Sequence, residues 1–352
     1  MDITKLILCF SLAFGVSLAA TPFVRIIAYK IGAVDVPDAR RVHDHPIPRM
    51  GGLAIFYGFL ISILCFAPVD TQLKGILIGS LIIVSLGIVD DVKQLGAGIK
   101  FLIQIVVAVI VVCHGVVIEY VSVPAFVSES GILSLGYFAY PITILWIVGV
   151  TNAVNLIDGL DGLAVGVSSI ATFSLFFIAI LAGEMQVALL SAALAGGCLG
   201  FLPYNFNPAK IFMGDTGSTF LGYMLSIVCI QGLFKGYVVI SFIIPFLILG
   251  LPIFDTAFAI VRRIWNKKPI MAPDRGHLHH KLMDMGFSQK QTVAILYIIT
   301  SILALSAVVV LEVGAYTAAV FVITILAFGG FAYKVYQVNH RNHIEKEEKE
   351  SD

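Results

Sequence analysis

The chain has 352 residues, 59% of them hydrophobic and only 12% charged, with a mean hydropathy of +0.98 and a formal net charge of zero. Soluble domains are about 45–50% apolar and about 25% charged, so these values exclude a soluble globular protein, and the lack of basic excess excludes a nucleic-acid binder. They describe an all-α, polytopic integral membrane protein, in which the few charged residues carry most of the information.

A membrane-crossing helix needs about 20 mostly apolar residues. By that measure eleven spans are predicted, near Leu6–Ala28, Gly51–Phe66, Leu73–Val89, Ile99–Ile118, Phe138–Leu156, Leu163–Leu181, Val187–Leu202, Ser218–Leu233, Val238–Ile260, Thr292–Leu311 and Ala315–Tyr333. The first resembles a signal peptide around SLAATP, but only Lys5 precedes it and Arg25 and Lys30 follow it, the pattern of a retained helix. Between the fourth and fifth spans, VSVPAFVSESGILSLGYF alternates weakly around a Ser-Gly turn and predicts a short β-hairpin. Residues 1–336 read as one transmembrane domain, and residues 337–352 as a charged cytoplasmic tail. Cys9, Cys65, Cys113, Cys198 and Cys229 each stand alone in an apolar run, without the spacing of a metal site or a disulfide framework.

Basic residues orient the chain. With the N-terminus outside and the C-terminus inside, only Lys5, Lys74 and Lys235 fall in outer segments, and every other Lys and Arg is inside. The polar motifs then collect on the inner side: RRVHDHPIPRMGG (40–52), VDDVKQLGAGIK (89–100), TNAVNLIDGLDG (151–162), YNFNPAKIFMGDTGS (204–218) and MAPDRGHLHHKL (271–282). This predicts a cytoplasmic-facing cleft.

Asp90, Asp91, Asp158, Asp161 and Asp215 all lie at inner ends of apolar runs. Taken singly, each reads as a helix end in water. Together, without matching cations, they suggest a divalent ion held by oxygen, Mg²⁺ or Mn²⁺, with one or two carboxylates as ligands and substrate phosphates completing the shell. Adjacent residues on a helix point about 100° apart, so Asp90 and Asp91 cannot share one partner. Asp158 and Asp161 share a face only if helix continues past Gly159. Gly214–Ser218 enters a helix, where backbone N–H groups either receive an anion or are capped by Thr216 or Ser218. Lys93 can neutralise a phosphate or serve only as an inner lysine. His277, His279 and His280 can bind zinc or, with Arg275, hydrogen-bond a phosphate or sugar, and the nearby acids favour the second reading. His43 and His45 are weaker signals of the same kind. The set suits phosphoryl transfer at the inner membrane surface. A cation-coupled transporter is the alternative, although its acids would be spread along a path.

In this order PIPRMGG, VDDVKQ, NAVNLIDGLDG, FMGDTGS and DRGHLHH resemble the polyprenyl-phosphate N-acetylhexosamine-1-phosphate transferases, which include the MraY-type peptidoglycan enzymes and the WecA/TagO-type enzymes. The spacing His277-Leu278-His279-His280 is similar to the GlcNAc-1-phosphate branch. The resemblance implies transfer of GlcNAc-1-phosphate from UDP-GlcNAc to a polyprenyl (undecaprenyl) phosphate with release of UMP, initiating a glycan such as teichoic acid or O-antigen. It further implies Asp215 as the Mg²⁺ ligand, Asp90 at the lipid phosphate, Asp91 in support, Asn155 and Asp158 at the nucleotide or the cleft wall, and Lys93, Arg275, His277, His279 and His280 on the sugar diphosphate. A homodimer in the bacterial plasma membrane is a further implication.

Overall fold

The computed structural model describes residues 2–35, 46–122, 132–232, 243–267, 269 and 276–313. The expected eleventh span, the charged tail, His43, His45 and Arg275 lie outside these residues. Among the described residues twelve α-helices account for most of the chain: α1 (Ile3–Ile31), α2 (Gly52–Phe66), α3 (Thr71–Lys93), α4 (Ala97–Cys113), α5 (Ala139–Leu156), α6 (Leu163–Ala182), α7 (Met185–Asn205), α8 (Gly214–Gly232), α9 (Ile243–Ile248), α10 (Gly250–Trp265), α11 (Leu278–Asp284) and α12 (Gln289–Val313). Six segments among the described residues are long and apolar enough to cross a membrane, and α2 and α4 are shorter apolar helices.

Among the described residues the fold departs from a purely helical one in two strand pairs. Val34–Asp35 (β1) pairs antiparallel with Ile47–Pro48 (β2), a contact with no signal in the sequence. Tyr120–Ser122 (β3) pairs with Ile132–Ser134 (β4), the two arms of the expected hairpin. The expected ninth span is also broken at Leu249, between α9 and α10. Pro252 has no backbone N–H to give the carbonyl one turn back, so an unbroken helix loses a bond there.

Helix α8 is the axis of the bundle. Thr216 to Gly232 are all buried, and α2, α3, α5, α6 and α7 surround them. A helix that meets only protein can carry Thr, Ser and Gln, because neighbours rather than lipid receive its polar groups. Elsewhere small residues bring backbones together. Gly196 and Gly200 of α7 lie against the carbonyls of Phe10 and Phe14 on α1, where added Cβ atoms would come within 2.3 and 2.4 Å.

The up-and-down path gathers one set of helix ends, and the polar motifs lie on them. Gly51 bonds to Phe212, Lys100 to Asp215, Gly162 to Asn205, and the Tyr297 hydroxyl donates to the Gly162 carbonyl at 2.5 Å. Segments from 46 to 297 in sequence thus meet at one end of the bundle.

Candidate active site

The site is organised around the first turn of α8. Three backbone bonds fix its approach: Phe212 N–H donates to Pro48 O at 2.8 Å, Gly51 N–H to Phe212 O at 2.9 Å and Gly52 N–H to Met213 O at 2.9 Å. They join PIPRMGG to FMGDTGS. Between them the buried Met50 adopts φ +74°, a conformation that a non-glycine residue holds only when its surroundings impose it. Arg49 pairs with Asp35, securing the same segment to β1.

Two glycines admit the α8 terminus. A Cβ on Gly52 would lie 1.9 Å from Gly217 Cα, and one on Gly87 would lie 2.3 Å from Thr216 Cα. The close approach lets Asp91, near the end of α3, cap α8. Its Oδ1 accepts from Asp215 N–H at 2.9 Å, and its Oδ2 accepts from Thr216 N–H at 3.1 Å and Thr216 Oγ1 at 2.6 Å. The anion received by this helix terminus is therefore a side chain of the same protein. Thr216 donates to that cap, while Ser218 Oγ donates to Gly214 O at 3.0 Å.

Asp90 points elsewhere. Its Oδ1 accepts from Leu95 N–H at 2.7 Å, closing the turn between α3 and α4, and its Oδ2 accepts from Lys100 Nζ at 3.0 Å. Lys100 Nζ also donates to Asp215 Oδ2 at 2.7 Å. One ammonium thus stands between two carboxylates from α3 and α8. Asn155 lies against Asp215 and donates to Ser218 Oγ at 2.8 Å. Lys93 is exposed on the last turn of α3. The lysine between the carboxylates is Lys100, which the charge pattern had marked only as an inner basic residue.

Helix α5 ends at Leu156 and α6 starts at Leu163 behind Gly162 at φ +78°, so Asp158 and Asp161 sit in a loop and diverge. Burial, then the charges of Asp215 and Asp91, push the Asp158 carboxyl up to about 8, with Arg49 pulling the other way. Asp158 is therefore within electrostatic reach of the cluster. Asp161 Oδ2 accepts from Asn207 Nδ2 at 2.9 Å and Ala209 N–H at 3.0 Å, which ties down the loop before α8.

The histidines form the adjoining wall. His277 Nδ1 is 2.8 Å from Asp255 Oδ2, and Asp255 Oδ1 accepts from Leu278 N–H at 2.9 Å. A carboxylate at Nδ1 favours a proton on that nitrogen and fixes the orientation of the ring. The His277 and His279 rings stack at 5.8 Å with 6° between planes, and His280 tilts against His279 at 4.3 Å. The rings stack on one another, and among the described residues no three His, Cys, Asp or Glu side chains form a metal-holding group. His279 meets the loop of Asp158: a Cβ on Gly159 would come within 2.6 Å of its Nε2. Burial, then the His280 and His277 charges, push His279 down to about 4. It is neutral at neutral pH.

The sequence reading missed Lys100, Asp255 and the proximity of Arg49. For Asp255 the signal was an unaccompanied acid in the apolar run LPIFDTAFAI, since such a residue is costly without a function or a partner. For Lys100 it was position, at the start of the helix that follows the tight turn closed by Asp90.

The sequence pattern described as glycosyl transferase family 4 matches residues 73–233, the stretch from α3 to the end of α8. The chain is 50% identical to a "Probable undecaprenyl-phosphate N-acetylglucosaminyl 1-phosphate transferase" of Bacillus subtilis over 87% of this chain and 85% of the relative. It is 35% identical to a "Decaprenyl-phosphate N-acetylglucosaminephosphotransferase" of Mycobacterium tuberculosis, strain H37Rv, covering 82% and 78% of the two chains. It is 28% identical to an "Undecaprenyl-phosphate alpha-N-acetylglucosaminyl 1-phosphate transferase" of Escherichia coli K12, covering 80% and 77%. With its motifs assembled at one end of the helical bundle and these relatives matched over most of their length, the chain belongs to the polyprenyl-phosphate N-acetylhexosamine-1-phosphate transferase family.

Proposed function

We propose that the protein transfers GlcNAc-1-phosphate from UDP-GlcNAc to undecaprenyl phosphate at the cytoplasmic membrane face, releasing UMP. The lipid phosphate oxygen attacks the β-phosphorus of the nucleotide sugar. The bond between that phosphorus and the α,β-bridging oxygen breaks, and the electron pair leaves with UMP. The observation that carries this reading is the Asp90–Lys100–Asp215 arrangement on the capped terminus of α8.

The donor set suits Mg²⁺ or Mn²⁺: its ligands would be carboxylate oxygens, Asp215 first and Asp90 or Asp158 beside it, with substrate phosphates completing the shell. A bound divalent cation supplies neutralisation of the charge shared by two anionic reactants. Asp91 holds Asp215 in place through the backbone. Lys100, between Asp90 and Asp215, is positioned to move onto a phosphate as that charge arrives. Asn155 holds Ser218 and lies against Asp215, bracing the first turn of α8. His277, its Nδ1 fixed by Asp255, keeps Nε2 for a hydrogen bond with a sugar hydroxyl, and His279 and His280 form the adjoining wall, with Arg275 as a further diphosphate contact. A lipid phosphate is largely ionised near neutral pH, so Asp90 has an orienting role that does not require it to remove a proton.

The test is transfer by purified protein in lipid, given undecaprenyl phosphate and either UDP-GlcNAc, UDP-GalNAc or UDP-MurNAc-pentapeptide. UMP and a lipid-linked GlcNAc diphosphate should form in equal amounts from UDP-GlcNAc. Faster turnover with another donor would reassign the sugar, and no UMP from any donor would refute transferase activity. The glycan fed by the product, teichoic acid or an O-antigen-like chain, would be read from which polymer disappears on deletion of the gene.

A further inference from the structure

Asp158 reaches the Asp215 cluster from a loop, and its carboxyl is placed by that loop alone. Burial and neighbouring charges act on it, but among the described residues no group donates a hydrogen bond to it. Whatever fixes the backbone of residues 157–162 therefore fixes the carboxyl. The Gly162 peptide closes the loop. Its N–H donates to Asn205 Oδ1 at 3.1 Å, and Asn205 Nδ2 donates to Ile211 O at 3.0 Å, which ties the loop to the approach to α8. Its carbonyl takes two donors, Gly166 N–H at 2.9 Å within α6 and the Tyr297 hydroxyl of α12 at 2.5 Å. The packing admits that hydroxyl only because side chains are missing around it. A Cβ on Gly166 would come within 2.0 Å of the Tyr297 oxygen, and one on Gly162 within 3.3 Å. A second contact from α12 reaches the same loop. Gln289 Oε1 accepts from Asn207 Nδ2 at 2.8 Å, and that Nδ2 also donates to Asp161 Oδ2 at 2.9 Å. Helix α12 thus grips the loop at Gly162 and at Asp161, yet it supplies none of the Asp90–Lys100–Asp215 set.

We propose, on the transferase reading above, that Tyr297 is a positioning residue for the reaction: its hydroxyl, through the Gly162 carbonyl, sets where the loop holds Asp158 relative to Asp215. The Gly162 carbonyl already accepts from Gly166 N–H, so phenylalanine at 297 would leave no acceptor unpaired and would fill the same space. What the hydroxyl adds is a fixed distance between α12 and the loop. Gln289 adds a second point of attachment through Asn207, and the two together resist rotation of the loop about either one.

The experiment compares purified full-length wild type, Tyr297→Phe and Thr300→Val in lipid, each shown folded by its melting curve. Thr300→Val is the control: it removes a hydroxyl bond of the same helix, to Leu296 O at 2.8 Å, which does not touch the loop. Hydrogen–deuterium exchange is read on the peptide that spans residues 157–166, and UMP release gives kcat per folded molecule and KM for each substrate. Tyr297→Phe should speed exchange in that peptide and lower kcat about tenfold, the scale of a small misplacement of a reacting group. The KM for undecaprenyl phosphate should change by less than about twofold, since the loop does not hold the acceptor. Thr300→Val should leave both the exchange and kcat at wild-type levels. Unchanged exchange in Tyr297→Phe would overturn the proposal, as would faster exchange with wild-type kcat, or equal losses of kcat in the two variants. A wild type that releases no UMP would instead overturn the transferase reading, and the exchange comparison would still decide whether Tyr297 holds the loop.

Discussion

At the scale of single residues, the two adjacent aspartates divide the labour. Asp91 directs both oxygens to the backbone and hydroxyl at the start of α8, whereas Asp90 shares Lys100 with Asp215. Asp91→Asn should lower stability by about 1–2 kcal/mol, the usual worth of a helix cap, read as a drop in melting temperature. Asp90→Asn should leave the melting temperature near that of the wild type and reduce turnover by about 100-fold, the scale of misplacing one reactant. Lys100→Met removes the resident cation between two carboxylates. Added Mg²⁺ should then raise its melting temperature more than that of the wild type, and equal shifts would show that the ion binds elsewhere. His279 is held neutral, its ordinary value of about 6.5 pushed down to about 4. The unfolded chain therefore takes up a proton first as pH falls. Stability contributed by the neutral ring is complete above the unfolded value and declines as pH falls toward 4. The melting temperature of His279→Asn should fall less steeply over that interval than that of the wild type.

At the scale of elements, glycines control how closely α8 approaches α2 and α3. Gly52→Ala would place a methyl group 1.9 Å from Gly217 Cα, and backbone must shift to admit it. Overpacking of this kind costs about 1–3 kcal/mol. Because the shifted turn carries Asp215, UMP release should fall further than the loss of folded protein accounts for. Parallel losses in folded fraction and turnover would show that the turn moves without disturbing the site. The broken α9–α10 segment has a complementary role. Its second half carries Asp255 to His277 and turns an aromatic face outward.

At the scale of the molecule, hydropathy made most of the helices legible, because lipid imposes one length and one composition on what crosses it. Gly52–Phe66 was recovered within a residue, while α3 runs on to Lys93, past both aspartates where the apolar run ends. The exceptions are instructive. α8 is surrounded by protein and need not be uniformly apolar, so its first turn, with Asp215, lay outside the predicted span. The α9–α10 break depends on Pro252, which hydropathy averages away. The gathering of five distant motifs was legible from their common side. The pairing of Lys100 with Asp90 and Asp215, and of Asp255 with His277, required three-dimensional contacts that no spacing encodes. Orientation can be checked directly in a cysteine-free background. A membrane-impermeant maleimide should label Lys74→Cys in intact spheroplasts and label Lys93→Cys only after lysis. The reverse pattern would place the polar end outside.

The central claim is that Asp215, held by the Asp91 cap and facing Lys100 and Asp90, is where divalent-cation-dependent transfer occurs. The most direct measurement is UMP release against Mg²⁺ concentration for purified wild type and Asp215→Asn, each shown folded by its melting curve. The wild type should turn over in proportion to site occupancy and stop in chelator. Asp215→Asn should remain folded and lose turnover by about 100-fold or more at every Mg²⁺ concentration. A folded Asp215→Asn enzyme with near-wild-type turnover, or wild-type turnover that persists in chelator, would contradict the account.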